Sequence, residues 1–151
     1  MDNCISYSAL KITVQGLNQN ALPREPKIKE YFFPDDYEKL QLLRPIPPFS
    51  LTELQLLYPG AGVDVLFPLH YCDWLFPEIT TAKFIFVDKD DNMPIIKTIL
   101  DDVGISFAET KDAIKFFWKG KLIELKYVQG DIFNLVEQFR FNIYFEKAFR
   151  I

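Results

Sequence analysis

Leu54-Gln55-Leu56-Leu57-Tyr58-Pro59-Gly60-Ala61-Gly62 decides how this chain is read. The apolar run from Leu54 to Tyr58 suits a buried strand, and Pro59-Gly60 stops it in a tight turn. Downstream, Val65 to Leu75 can form a helix, and Lys83-Phe84-Ile85-Phe86-Val87 reads as a second buried strand ending in Asp88. Strand, glycine turn, helix and strand make a βαβ unit. Asn92-Met93-Pro94 opens a further helix, with Pro94 suited to its first turn, running to Val103 and closed by Gly104.

The pattern continues toward the C-terminus. Ile114 to Trp118 and Lys121 to Val128 flank Lys119-Gly120, which predicts a hairpin whose second arm enters the parallel sheet. Asp131 can cap a helix over Ile132 to Gln138, and Phe141 to Phe145 forms a last strand. Toward the N-terminus, Ile5 to Val14 favours a strand. Six prolines between Ala21 and Ser50 predict an irregular arm with one helix from Asp35 to Leu43. Pro45 and Pro48 satisfy P-x-x-P, but that spacing is common by chance, and an extended lead-in to a strand is the preferred reading over a partner-binding motif. The expected architecture is α/β: a Rossmann-like three-layer sandwich with a mostly parallel sheet, an inserted β-hairpin over its core at 51–151, and an arm at 1–50 packed on that core.

Composition narrows the function classes. A chain of 151 residues is the size of one domain, and 49% apolar with 25% charged residues is a globular balance. The net charge is −4 and the 17 basic residues are scattered, so no nucleic-acid footprint is expected. Cys4 and Cys72 cannot build a disulfide scaffold, which points to a reducing compartment and a cytoplasmic location. No apolar run reaches membrane-spanning length, and Met1-Asp2-Asn3-Cys4 lacks the features of a signal segment. Single His70 cannot make a His-rich metal site; with Cys72 only two residues away, the pair falls on different faces of a helix.

The chemistry is expected at the carboxyl edge of the sheet. Glycine tolerates positive φ and leaves backbone N–H groups open to close approach, and Gly60 and Gly62 stand where a helix begins. Asp88, at the end of the second strand, can accept hydrogen bonds from ribose hydroxyls, and Lys89 follows it. Asp131 ends the third parallel strand on the same edge, either as a helix cap or facing a ligand. Asp64 can cap the glycine-turn helix or face a ligand's amino group.

These residues resemble the class I S-adenosylmethionine-dependent methyltransferases. Leu56 to Gly62, Phe86-Val87-Asp88 and Val128-Gln129-Gly130-Asp131 match, in order, the glycine turn, the ribose-binding acid and the acid near the adenine amine. The resemblance spans roughly residues 51 to 146. It implies S-adenosylmethionine as cofactor, held by Tyr58, Gly60, Ala61, Gly62, Asp64, Asp88, Lys89 and Asp131. Tyr58 stands where the family usually has an acid, Asp64 replaces its third glycine, and the closing strands are missing. Nor does Glu146-Lys147-Ala148-Phe149 match the Asn/Asp-Pro-Pro-Tyr-type motif expected there. Those departures keep a second reading open, a non-enzymatic interaction module with a homodimer through a bare sheet edge. A third follows from Asp88-Lys89-Asp90, the Asp-x-Asp shape of haloacid-dehalogenase phosphatases, though without their following Gly-Thr.

Overall fold

The computed structural model describes residues 17–42 and 53–146. The predicted strand at Ile5–Val14, the Pro45/Pro48 spacing and the end of the chain beyond Glu146 lie outside them. The described part of the arm contains two short helices, α1 (Glu25–Glu30) and α2 (Pro34–Gln41). Then come β1 (Leu54–Pro59), α3 (Leu66–Leu75), β2 (Thr81–Asp88), α4 (Met93–Asp102), β3 (Phe107–Glu109), β4 (Ala113–Trp118), β5 (Lys121–Gln129), α5 (Ile132–Leu135) and β6 (Ile143–Tyr144).

The fold is α/β. Among the described residues, six strands form one mixed sheet in the order β3-β4-β5-β2-β1-β6. β5, β2, β1 and β6 run parallel, and β4 pairs antiparallel with both β3 and β5. Counting only the parallel strands in chain order, the order is third, second, first, fourth. The chain thus reverses its direction of travel between β1 and β6. In open α/β sheets, such a reversal opens a crevice at the carboxyl ends of the strands.

Alternation along the strands sorts two cores. Leu54, Leu56 and Tyr58 of β1, Phe84 and Phe86 of β2, and Leu125 of β5 face one side. There they pack with Ile28 of α1, Leu69 of α3 and Ile96 of α4. Leu57, Ile85 and Val87 face the other side and meet Ile132 of α5. Helices therefore lie on both faces, but α5 and the 3-10 turn after it cover only the carboxyl half of the second face among the described residues. On the other half, Glu124 stands in register with both Lys83 and Lys115, placing opposite charges on adjacent strands.

Several boundaries differ from the sequence reading for local reasons. A second helix, α1, was missed because Pro23 and Pro26 read as breakers, whereas Pro26 occupies the first turn, where its absent N–H costs nothing. The helix expected at Asp35–Leu43 is α2, which starts one residue earlier and ends at Gln41. β3 is three residues long and carries too little periodicity to register. It makes the expected hairpin a three-strand meander through the two-residue turn Lys119-Gly120, where both residues have positive φ as primed hairpin turns require. The last helix tightens to a 3-10 turn at Val136–Gln138, and the last strand keeps only Ile143–Tyr144 of the five residues expected. The 28 positions from Gly60 to Asp88 are absorbed by the turn before α3 and the loop from Phe76 to Thr80 rather than by a longer helix.

Candidate functional site at the glycine turn

The turn after β1 is bound to three strands. Gly60 and Gly62 have φ of 66° and 57°, a conformation that costs other residues strain. Gly60 N–H donates to Val87 O at 2.7 Å. Gly62 N–H donates to Asp88 Oδ2 at 2.8 Å, and Asp88 Oδ1 accepts Lys89 N–H. From β5, Tyr127 donates its hydroxyl to Gly62 O at 2.6 Å while accepting Asn92 Nδ2–H at 2.9 Å. From β1, Tyr58 donates to Asp64 Oδ2 at 2.8 Å.

Those two tyrosines belong to a row of aromatic rings beneath the turn. Tyr58, Phe86 and Tyr127 are in register on adjacent strands, and Phe145, just past β6, completes the row. Neighbouring centroids lie 4.8 Å (Phe145–Tyr58), 5.3 Å (Tyr58–Phe86) and 6.0 Å (Phe86–Tyr127) apart, each pair edge to face. Burial pushes the Tyr127 phenol up to about 12. It pushes Tyr58 further, with the Asp64 carboxylate adding to the effect. Both phenols remain donors at neutral pH.

A cleft of about 370 Å³ opens between the turn and the arm, lined in part by Tyr31, Phe32, Phe33, Tyr58, Asp36 and Asp64. Among the described residues its charged lining groups are those two carboxylates. Phe33 stands 79% exposed at the rim. Aromatic faces and carboxylates together favour a cation carried on an apolar body.

The sequence-predicted residues are therefore brought together unevenly. Gly60, Ala61, Gly62, Asp64, Tyr58 and Asp88 form one hydrogen-bonded unit. Asp131 lies near it through the backbone, since Gly130 N–H donates to Asp88 O at 2.8 Å. Asp131 Oδ1 caps α5 by accepting Phe133 N–H at 2.9 Å. Asp64 Oδ1 accepts Phe67 N–H at a long 3.4 Å. The Lys89 side chain has no hydrogen bond or ion pair among the described residues, and Asp90 contributes to the local hydrogen bonding only by its carbonyl, which accepts from Asn92. Tyr127, Asn92, Asp36 and the ring of Phe33 were not singled out from sequence. Tyr127 was readable as a strand residue near the carboxyl edge, but the cleft residues come from an arm whose position only packing defines. No family model, curated protein or solved structure matches this chain.

Proposed function

We propose that this chain is a Rossmann-like, methyltransferase-like domain that binds S-adenosylmethionine or a related adenine nucleoside at its glycine turn. The reading rests on one observation above the others: Asp88 at the end of β2 is hydrogen-bonded to Gly62 of the turn after β1, beside the point where the parallel strand order reverses. Ribose hydroxyls would go to the remaining lone pairs of Asp88. S-adenosylmethionine carries a sulfonium and an ammonium, and the adjoining cleft has the carboxylates Asp36 and Asp64 and four aromatic rings to receive them. With the cofactor bound, methyl transfer needs an acceptor aligned with the sulfonium more than a reactive side chain, so the chain's own task is holding and orienting.

Isothermal calorimetry with S-adenosylmethionine and S-adenosylhomocysteine tests this. Micromolar binding is expected, weakened at least about tenfold by Asp88→Asn, which keeps an acceptor for Gly62 N–H but removes the charge. Absence of heat at millimolar ligand with a folded protein sinks the reading.

A second reading is favoured by the same turn's internal bonding. The N–H and C=O of Gly62 and both oxygens of Asp88 are already engaged by the chain itself, as in a scaffold that has exchanged ligand contacts for rigidity. Such an interaction module would use its outer strand β6, where Tyr144 is 50% exposed and stacks obliquely on Phe141, to form a homodimer. Light scattering at high concentration separates the two: a mass of twice 17.7 kDa favours the module, and a strict monomer counts against it.

A further inference from the structure

His70, the chain's sole histidine, lies on α3 at 1% exposure inside a box of four rings. Centroids of Phe32, Trp118, Trp74 and Tyr37 stand 5.2, 5.4, 5.6 and 6.2 Å from its own. Phe32 and Tyr37 belong to the arm; Trp74 and Trp118 belong to the core. Nδ1 is 2.8 Å from Leu66 O, which can only accept, so Nδ1 carries the proton of the neutral ring. Nε2 is buried with no hydrogen-bond partner among the described residues.

The neutral ring thus leaves a bare acceptor among the four rings, a small cost. A protonated ring would present an N–H with no oxygen or nitrogen to accept it, only the π systems of the box, inside a site that excludes water. The charged groups around the box do not offset this. Lys119, from the β4–β5 turn, opposes a second positive charge, and Asp73 on α3 and Glu25 on α1 favour it. Those carboxylates have other partners: Asp73 pairs with Lys119 and Lys121 and accepts the Trp118 indole N–H, although its buried Oδ1 accepts no hydrogen bond among the described residues, and Glu25 pairs with Lys119 and accepts the Tyr37 hydroxyl. Burial is the largest influence and favours the neutral form.

We propose that His70 is a pH latch for the arm: its protonation lifts Phe32 and Tyr37 off α3 and opens the cleft of which Phe32 is a wall. α1 stays in place on two anchors that carry no titratable group. Ile28 is fully buried, and Arg24 N–H donates to Val103 O at 2.8 Å. The movement is therefore of α2 and the turn before it. The docked arm prefers the neutral ring, so docking is strongest above the ordinary histidine value of about 6.5 and weakens as pH falls below it. One proton sets a limit of about tenfold per pH unit. The inference does not depend on what the cleft binds.

The test is hydrogen exchange of the full chain, read by mass spectrometry from pH 7.5 to 5.0 and corrected for intrinsic rates, alongside tryptophan fluorescence. Trp74 and Trp118 are the chain's two tryptophans and both touch His70, so their emission reports on this ring. Exchange over residues 32 to 37 should accelerate several-fold and up to about tenfold per unit below pH 6.5, with emission shifting in the same window and β2 and β5 unchanged. His70→Phe should abolish both changes. Should that variant not fold, carbon-13 NMR of the wild-type imidazole replaces it, and His70 must titrate together with the arm amides. Arm exchange that ignores pH, an unchanged response in His70→Phe, or equal acceleration in β2 and β5 overturns the latch.

Discussion

Asp88 at the end of β2 accepts the N–H of Gly62 at 2.8 Å, so a carboxylate from one strand holds the turn that follows its neighbour. A charged acceptor on a backbone donor is worth roughly 1.5–3 kcal/mol. Asp88→Ala should lower stability by about that amount in urea denaturation, and Asp88→Asn by less. An unchanged midpoint for Asp88→Ala would mean that the turn holds its shape without the carboxylate.

Gly62 isolates the cost of backbone conformation. A Cβ built at this position meets no atom within 4 Å, while φ is +57°. Gly62→Ala should therefore destabilise through strain alone, by about 1–2 kcal/mol. A loss well above that range would reveal a contact the open space does not predict.

Tyr127 ties β5 to the turn. Tyr127→Phe removes the donor to Gly62 O and the acceptor of Asn92, and a loss of about 1 kcal/mol is expected. If chemical denaturation finds the variant as stable as wild type, the hydroxyl only fills space.

Tyrosine ionisation should set the alkaline limit. Tyr127 is pushed up to about 12 by burial, Tyr31 up to about 12 by its hydrogen bond to Asp102, and Tyr58 beyond both. Each folded value lies above the ordinary value of about 10, so the associated stability is fully present below pH 10 and is lost as pH rises from 10 through 12. Tyrosinate absorbance followed together with circular dichroism should show these phenols ionising as the fold is lost. Complete ionisation by pH 10.5 with the fold intact would refute this.

Cys72 is 2% exposed, and burial raises its thiol to about 12. In a Cys4→Ser background it should react with a thiol reagent only at the rate of unfolding. Rapid labelling of native protein would place Cys72 in an accessible opening.

The sequence by itself determined the order of buried strands, the glycine turn and the acids that end two of the strands. Runs such as Lys83–Val87 and Leu54–Tyr58 carry their own burial signal, and Pro59-Gly60 leaves the chain few ways to turn. Periodicity is local information, and these features are local. Tertiary structure decided what the acids do. Asp88 and Gly62 are 26 positions apart, and nothing between them encodes that the carboxylate would spend an oxygen on that N–H. Nor does any local pattern place the rings of the arm over His70, or Asp36 in the same cleft as Asp64. Those relations arise because α1 buries Ile28 against the core and carries Tyr31, Phe32 and Phe33 with it. The hydrophobic effect that seats the arm has no direction along the chain, so what it brings together emerges only when the chain is packed.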